Sequence, residues 1–254
     1  MRSADEGRAF IKADDWDEWA RSGHESDQGR GLPRPPAQKP YPADATLVDL
    51  VPPEEITVGA APLRDVIARR RSRRRYTEEP LTLEELSYLL WATQGVTTAM
   101  DRPDGLVTLR TVPSGGASHP FETYLAVSRV QGVDPGLYRY LPLEHKLLFI
   151  RTEPKLMEKV VAGCRGQDFV GTAAVVFIWT AIPYRVEWRY TIVAPKIVAQ
   201  DSGHLCQNLY LAAEAIGAGT CAIGAYSQSK MDALLGVDGR DEFTVYAAPV
   251  GKIA

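Results

Sequence analysis

Apolar residues recur at helical spacing in two segments that follow residue 60. Leu63 and Ile67 stand one turn apart behind a proline suited to the first turn of a helix. A second helix has stronger end signals, because Thr82 and Glu85 form a capping box and Gly95 supplies a stop after an apolar run. The pattern therefore predicts two successive helices.

Stretches rich in β-branched and aromatic residues predict strands in the remainder of the chain. They cover residues 121–130, 137–141, 146–151, 172–182, 220–225 and 243–250. The run at 172–182 is almost unbroken, as expected of a central strand buried on both faces. A long helix near residues 195–217 and a short one near 230–235 complete the pattern. Because strands group together and helices do not strictly alternate with them, we predict an α+β layer fold.

Residues 1–60 have the character of an extended arm rather than a domain. Seven of the 18 prolines fall between residues 32 and 53, and apolar periodicity is poor. Such a segment favours polyproline-like chain lying on a surface. Trp16 and Trp19 are exceptions, and we expect them to anchor a short helix onto a body that spans residues 61–254.

The chain has 254 residues, of which 45% are hydrophobic and 24% are charged, and this composition is that of an ordinary globular protein. The three cysteines, Cys164, Cys206 and Cys221, have no C-x-x-C spacing, which disfavours a disulfide framework or a structural zinc site. The chain start lacks a secretory pattern, and the longest apolar run, residues 173–182, is too short to span a bilayer. We expect a cytoplasmic protein with no membrane partner.

Positive charge is concentrated in one segment. Residues 62–76 contain seven arginines and one aspartate, so this segment has a charge of +6. Because the net charge of the whole chain is −3, the remaining residues have a net charge of −9. If the chain is extended here, Arg70, Ser72 and Arg74 point to one side and can hold a phosphate. The alternatives are a solvated basic helix end, a nuclear-localisation segment or a nucleic-acid patch. The charge of −9 elsewhere disfavours nucleic acid.

Two segments of small residues are further candidates for close ligand approach. The first comprises Pro113, Ser114, Gly115 and Gly116 with Ala117, just before a predicted strand. Its backbone N–H groups could face a flat or anionic ligand, although a plain turn has the same composition. The second, residues 217–225, could let a planar ring stack against backbone, although a tightly packed sheet edge would look the same.

Three motifs in this order make the chain similar to the nitroreductase superfamily, and most closely to its SagB-type dehydrogenase branch, over roughly residues 60–251. They are R-x-S-x-R-x-aromatic, P-S-[AG]-G-A before a Pro-Leu/Phe-Glu strand, and G-H-x-x-Q-N-x-x-L-x-A. The matching residues are Arg70, Ser72, Arg74 and Tyr76; residues 113–117 with Pro120, Phe121 and Glu122; and Gly203, His204, Gln207, Asn208, Leu211 and Ala213.

The resemblance implies a nitroreductase-like α+β fold, with a central mixed β-sheet flanked by helices and FMN held at a homodimer interface. It places Arg70, Ser72 and Arg74 near the FMN phosphate and pyrimidine edge. It places residues 113–116 along the ring or phosphate, from the partner subunit. The backbone N–H groups of Ile223 and Gly224 stand at the positions that face flavin O4 and N5.

The implied chemistry is that of the flavin, whose N5 accepts or donates hydride while the protein binds and orients it. A positive side chain near N1 and O2, Arg74 by this resemblance, would stabilise the reduced anionic flavin. NADH or NADPH is the expected donor and a small organic molecule the expected substrate. No acid or base is strictly required.

Azoline oxidases of the same branch have a Lys-Tyr pair where this chain has Arg189 and Tyr190. Arginine stays protonated near neutral pH and cannot replace a lysine base, which leaves Tyr190 as a candidate proton donor. His119 either faces the substrate or makes a structural hydrogen bond, whereas His204 is expected to be structural. Neither histidine has metal-ligand spacing.

Three functional readings therefore remain open at this point. They are a flavin reductase or dehydrogenase acting on small molecules, an enzyme of peptide maturation that oxidises azolines, and a non-enzymatic anion or nucleic-acid binder. Bound flavin separates the first two from the third, and activity on azoline peptides separates the second from the first.

Overall fold

A computed structural model describes residues 3–22 and 25–254; residues 1–2 and 23–24 of the predicted arm lie outside the described part. The helices are α1 (Ala4–Ile11), α2 (Asp15–Ser22), α3 (Leu63–Arg69), α4 (Leu83–Gln94), α5 (Leu156–Gly163), α6 (Tyr184–Tyr190), α7 (Ala194–Ala215) and α8 (Gln228–Leu235). The strands are β1 (Leu47–Asp49), β2 (Val96–Arg102), β3 (Gly105–Arg110), β4 (Phe121–Val127), β5 (Gly136–Leu141), β6 (Lys146–Arg151), β7 (Val175–Ala181), β8 (Ala218–Thr220) and β9 (Phe243–Lys252).

Seven strands form the central sheet in the order β1-β6-β5-β4-β7-β9-β8, and β2 and β3 form a separate hairpin. Every neighbouring pair in the central sheet is antiparallel, so the mixed sheet expected from the resemblance is wrong. The reason is local connection, since β4, β5 and β6 follow one another through short turns that only antiparallel strands allow. Parallel pairing is limited to isolated bridges, Ser72 with Thr220 and Leu81 with Val130.

Both faces of the sheet are covered, which explains why β4 and β7 are buried along their whole length. Alternate residues of β7 separate into two cores, with Phe177 and Trp179 in one and Val176 and Ile178 in the other. Helices α4 and α7 cover the first core, and α5 and α8 cover the second. The prediction of a central strand at 172–182 buried on both faces is thereby confirmed.

Local signals locate some elements well and miss others. Thr82 caps α4 with Glu85 in a capping box, and Gly95 is its C-cap, as predicted. The predicted strand at 220–225 is shorter than expected and ends at Thr220, after which Ile223 makes only an isolated bridge to Ala247. The hairpin β2–β3 and helices α5 and α6 were not predicted. No helix of the described residues is long and apolar enough to cross a membrane.

The proline-rich part of the arm, residues 32–46, forms neither helix nor strand; it bends at residues 37–38 and turns at residues 43–44. Buried arginines hold it through its backbone: Arg110 Nη2 donates to the carbonyl of Ala37 at 2.8 Å, and Arg139 Nη2 donates to the carbonyls of Lys39 and Pro40 at 2.9 and 3.0 Å. Main-chain recognition therefore accounts for part of the docking of the arm, and its own side chains add to it, as where Lys39 Nζ forms an ion pair with Glu242.

Candidate functional site

Helix α7 connects the two motifs that the sequence singled out. Near its carboxyl end, Tyr210 lies beside the basic segment, which we define as residues 70–76. Near its amino end, Asp201 binds the glycine turn, defined as residues 113–119. Tyr210 comes nine positions after Asp201, which is about 14 Å along a helix. One chain therefore holds the two motifs at well-separated points of a single helix.

The basic segment is extended and runs beside β8. Ser72 pairs with Thr220 in a parallel bridge, and the amide of Arg73 donates to the Thr220 carbonyl at 2.9 Å. Gly219 makes this approach possible, because a Cβ there would lie 2.6 Å from Cβ of Arg73. Within the segment 217–225, Gly219 therefore allows the edge of the sheet to pack closely, which is one of the two interpretations that the sequence left open.

Four arginines of this region divide into two groups; Arg71, which donates to nearby backbone carbonyls, and Arg75 have no ion pair among the described residues either. Arg69 and Arg73 form ion pairs with the buried carboxylate of Glu214, at 3.6 and 3.7 Å. Arg70 and Arg74 have no ion-pair partner among the described residues; their guanidinium carbons lie over the rings of Tyr210 and Phe169, at 5.3 and 5.8 Å. Stacking on an aromatic face orients a guanidinium without neutralising its charge. Arg70 and Arg74 are therefore free to bind an anion.

A hydrogen-bonded chain links the basic segment to the residues after β8. The hydroxyls of Ser72 and Tyr210 are 3.0 Å apart, and Tyr210 accepts a hydrogen bond from the amide of Ala222 at 2.8 Å. The amide of Ile223 donates to the Ala247 carbonyl at 2.7 Å, so it is not available to a ligand.

Two exposed backbone amides follow Ile223 directly. Gly224 and Ala225 are both exposed, and neither amide donates a hydrogen bond within the described part of the chain. A Cβ at Gly224 would have no heavy atom nearer than 4.0 Å, so this surface is open. Of the predicted pair, the amide of Ile223 is bonded within the chain and that of Gly224 is not; Ala225 supplies a second unbonded amide.

The glycine turn is tied to α7 by one buried carboxylate. Ser114 Oγ donates to Asp201 Oδ2 at 2.6 Å, and the amide of Gly115 donates to the same oxygen at 3.2 Å. Ser114 Oγ in turn accepts from the amide of His119 at 2.9 Å. Burial raises the pKa of Asp201, and the hydrogen bonds from Ser114 and Gly115 oppose that rise. Pro113 itself is exposed at the edge of the turn.

The backbone of the glycine turn is strained. Gly116, Ala117 and His119 all have positive φ values, 60°, 52° and 45°. A Cβ at Gly116 would lie 2.7 Å from the hydroxyl of Tyr190, so glycine is needed there for close approach as well as for conformation. Strained non-glycine residues cluster at functional sites, because they persist only where the surrounding structure holds them.

His119 is buried, with 4% of its surface exposed. Burial, followed by the charges of Arg110 and Arg185, lowers its pKa to about 3. The imidazole is therefore neutral near pH 7 and is a poor proton donor. His204 is half-exposed on α7 and lies 3.6 Å from Asp201, so its described contact is with the carboxylate that holds the glycine turn.

Arg189 and Tyr190 end helix α6, and the guanidinium of Arg189 lies 5.1 Å from the centre of the Tyr190 ring.

Sequence reasoning missed the partners that orient the motifs, namely Asp201, Tyr210 and Glu214. No signal in one sequence marks these three positions of α7 as partners of the motifs. The three cysteines are free and buried, and the described residues contain no cluster suited to a metal ion.

Comparison with known proteins gives a consistent family relationship. Residues 67–252 match the model of the Nitroreductase family. A Methanocaldococcus jannaschii protein provisionally named a nitroreductase is 36% identical over 190 residues, which is 75% of this chain and 90% of that protein. The trifolitoxin-processing protein TfxB of Rhizobium leguminosarum is 31% identical over 137 residues, 51% of this chain and 36% of its own length.

A solved structure agrees with the fold. A Desulfovibrio desulfuricans protein provisionally named a nitroreductase, crystallised in complex with FMN, superposes with a TM-score of 0.52 at 21% identity. The match covers 76% of this chain and 87% of that one. These findings confirm the resemblance and the nitroreductase-like α+β fold that the sequence motifs implied.

Proposed function

Because the chain belongs to the nitroreductase family, we propose that it is an FMN-dependent oxidoreductase that passes hydride between flavin N5 and a small organic substrate. The observation that carries the proposal is the division of the arginines. Glu214 forms ion pairs with Arg69 and Arg73, while Arg70 and Arg74, on either side of Ser72, have no ion pair among the described residues. Two free guanidinium groups and a hydroxyl are the donor set that a phosphate monoester requires.

The residues of this chain fit the two ends of FMN. Arg70, Ser72 and Arg74 would hold the phosphate, and the exposed amides of Gly224 and Ala225 would donate to the polar edge of the ring. Bound FMN supplies hydride transfer, for which NADH or NADPH is the proposed electron donor. The protein's task is to bind and orient the reactants and to place positive charge near the ring.

We further propose a homodimer in which the glycine turn of one subunit completes the flavin site of the other. The separation of the two motifs along α7, about 14 Å from Asp201 to Tyr210, supports this division of the site between two chains. An interface that encloses a cofactor is large and apolar at its centre. Light scattering of the FMN-loaded protein should give the mass of two chains, and a monomeric mass would contradict the proposal.

The direct test of the function is flavin binding. The purified chain should show the absorbance bands of a bound flavin and should bind FMN at least tenfold tighter than riboflavin, because each charge-assisted phosphate bond contributes about 1.5 to 3 kcal/mol. A colourless protein that binds neither flavin would refute the proposal that the chain is an FMN-dependent enzyme. It would leave the basic segment as an anion or nucleic-acid patch.

Peptide azoline oxidation is the second candidate, and the likeness to TfxB and to the SagB-type branch favours it. Against it, Arg189 occupies the position of the lysine base, and a guanidinium keeps its proton near neutral pH. We expect no azole product when an azoline-containing peptide is incubated with the FMN-loaded protein, as followed by a loss of 2 Da in mass spectrometry. Measurable aromatisation would establish the second candidate.

A further inference from the structure

Two adjacent cavities lie along helices α6 and α7. The first, of about 460 Å³, lies between α6, α7 and the start of β9, and we call it the apolar cavity. The second, of about 500 Å³, lies between α6, the start of α7 and residues 25–27 of the arm, and we call it the acidic cavity. Because Glu187 and Pro195 line both, the two cavities form one elongated groove, the α6–α7 groove.

The walls of the apolar cavity come from two elements. Helix α7 contributes Val198 and Ala199, and strand β9 contributes Phe243 and Val245. Such walls favour a hydrocarbon body, because apolar surface that leaves water on binding stabilises the complex.

Tyr226 connects the apolar cavity to the candidate flavin site. Its ring lines the cavity, and its hydroxyl donates to the carbonyl of Thr244 at 2.9 Å, which fixes the ring. Tyr226 directly follows the exposed amides of Gly224 and Ala225. A molecule in the apolar cavity is therefore close to the backbone that we propose for the polar edge of the flavin ring.

The acidic cavity is lined by three carboxylates, those of Glu25, Asp27 and Glu187, and by no lysine or arginine among the residues that the structure describes. Asp27 already has partners, since Tyr184 donates to it at 2.8 Å and the exposed Arg30 pairs with it at 3.6 Å. This end of the groove therefore attracts positive charge and repels anions.

Glu187 stands where the two cavities meet. Its carboxylate has no hydrogen bond or ion pair with any described residue, and partial burial, followed by the charge of Asp241, raises its pKa. Arg240, which also lines the apolar cavity, is almost fully exposed and pairs with Asp241 at 3.8 Å. A cation bound beside Glu187 would supply the opposite charge that this carboxylate lacks.

We propose that the α6–α7 groove binds an elongated amphiphilic cation, whose hydrocarbon body lies in the apolar cavity and whose protonated amine pairs with Glu187. The proposal names the substrate class of the proposed enzyme, and it rests on the proposed function in placing the flavin ring at Gly224 and Ala225. An ammonium group gains a charge-assisted hydrogen bond at Glu187, an alcohol gains only a neutral one, and a carboxylate is repelled.

Three eight-carbon chains that differ only in their end group test the proposal. Titration calorimetry on the FMN-loaded protein at pH 7 would compare octylammonium, octan-1-ol and octanoate. We expect octylammonium to bind at least about tenfold more tightly than octanoate, with octanol between them, because the charged hydrogen bond adds to the same apolar contacts.

Three variants locate the site. Glu187→Gln should weaken octylammonium binding about tenfold and change octanol binding less than about twofold, since it removes the charge and keeps the shape. Glu55→Gln is the matched control, because it removes an equal charge from an exposed residue that lines neither cavity. Ala199→Leu should weaken the binding of octylammonium and octanol alike, because its larger side chain occupies the apolar cavity.

The outcomes separate this inference from the proposed function. A wild-type chain that binds no FMN contradicts the proposed function, and the same titrations on that chain then test the groove alone. The groove is overturned if octylammonium and octanoate bind equally, if octylammonium does not bind, or if Glu187→Gln and Glu55→Gln have the same effect.

The flavin spectrum tests where the bound amine lies. In the FMN-loaded protein, octylammonium should shift the flavin absorbance bands, and Ala199→Leu should reduce that shift. Binding that depends on Glu187 and leaves the bands unchanged would place the cation away from the ring and would overturn the groove as the substrate site.

Discussion

The basic segment and the glycine turn both pack on α7, yet they are built in opposite ways. The basic segment leaves Arg70 and Arg74 without an ion pair, and its residues from 70 to 76 have no positive φ value. The glycine turn places Gly116, Ala117 and His119 at positive φ values and fixes itself to a buried carboxylate. The basic segment therefore presents unpaired positive charge, whereas the glycine turn presents a fixed backbone conformation.

The contrast indicates a division of labour within the candidate site. Charge can be recognised at a partly hydrated surface, so the basic segment needs orientation but little strain. A flat ring is recognised by shape, which requires a backbone fixed to a few tenths of an ångström. Substitutions in the basic segment should therefore alter ligand affinity, while those in the glycine turn should alter the stability of the fold.

The largest effect should come from the unpaired arginines. Arg70→Gln or Arg74→Gln should weaken FMN binding by tenfold to a hundredfold, because each removes a charge-assisted bond worth about 1.5 to 3 kcal/mol. Thermal unfolding of the flavin-free protein should be unchanged. The controls are Arg71→Gln and Arg75→Gln, and flavin titrations that gave equal affinities for all four variants would remove the distinction between binding and surface arginines.

The next effect should come from Gly116→Ala. The new methyl group would stand at φ 60° and 2.7 Å from the Tyr190 hydroxyl, so we expect a loss of about 2 to 3 kcal/mol in the free energy of unfolding. Gly132→Ala is the matched control, since Gly132 has φ 78° with no heavy atom within 4 Å. Equal losses in urea unfolding would show that backbone strain alone, and not the contact with Tyr190, sets the cost.

A similar or smaller effect should appear as a pH dependence in the glycine turn. The pKa of His119 is lowered to about 3 in the folded protein, so its contribution to stability is present above its unfolded pKa and is lost as the pH falls below that value. Between pH 7.5 and 5.0 we expect wild type to lose about 2 kcal/mol more than His119→Gln, which cannot ionise. Parallel pH profiles for the two proteins in urea unfolding would refute a buried neutral His119.

The smallest effect should come from Arg73→Gln. Its ion pair with Glu214 is 3.7 Å long, and 36% of the arginine side chain is exposed. Exposed pairs contribute about 0 to 1 kcal/mol, so unfolding should shift by no more than that. FMN affinity should stay within twofold of wild type, and a loss as large as that of Arg74→Gln would place Arg73 in the anion site.

Elements with their own end signals could be predicted from the sequence, as α4 shows with Thr82 and Glu85 at its start and Gly95 at its end. The hairpin β2–β3 could not, because β2 is mostly exposed, β3 is mostly half-buried, and neither strand shows a clear alternation. It is supported from outside by Arg34, which pairs with Asp104 at 3.3 Å. Because the two residues are 70 positions apart, their contact produces no local pattern in the sequence from which the hairpin could be predicted.

The site was predictable in its motifs and not in its connections. The residue types at 70, 72 and 74 pointed to an anion site, but which arginines form an ion pair depends on Glu214, far along the chain. Likewise, the sequence does not show which of the backbone amides at 223–225 is hydrogen-bonded within the chain. Only the bond from Ile223 to Ala247 shows which of them are free.

The main-chain docking of the proline-rich arm has a consequence for how the protein is made. The arm is translated well before its partners Arg110, Arg139 and Trp188, and Trp188 Nε1 donates to the carbonyl of Leu32. At about 5 to 20 residues per second, the nascent arm waits on the order of 10 to 30 s for that last partner. Its prolines lack the N–H groups that a stray strand pairing needs, so a segment translated before its partners can dock late without a competing fold.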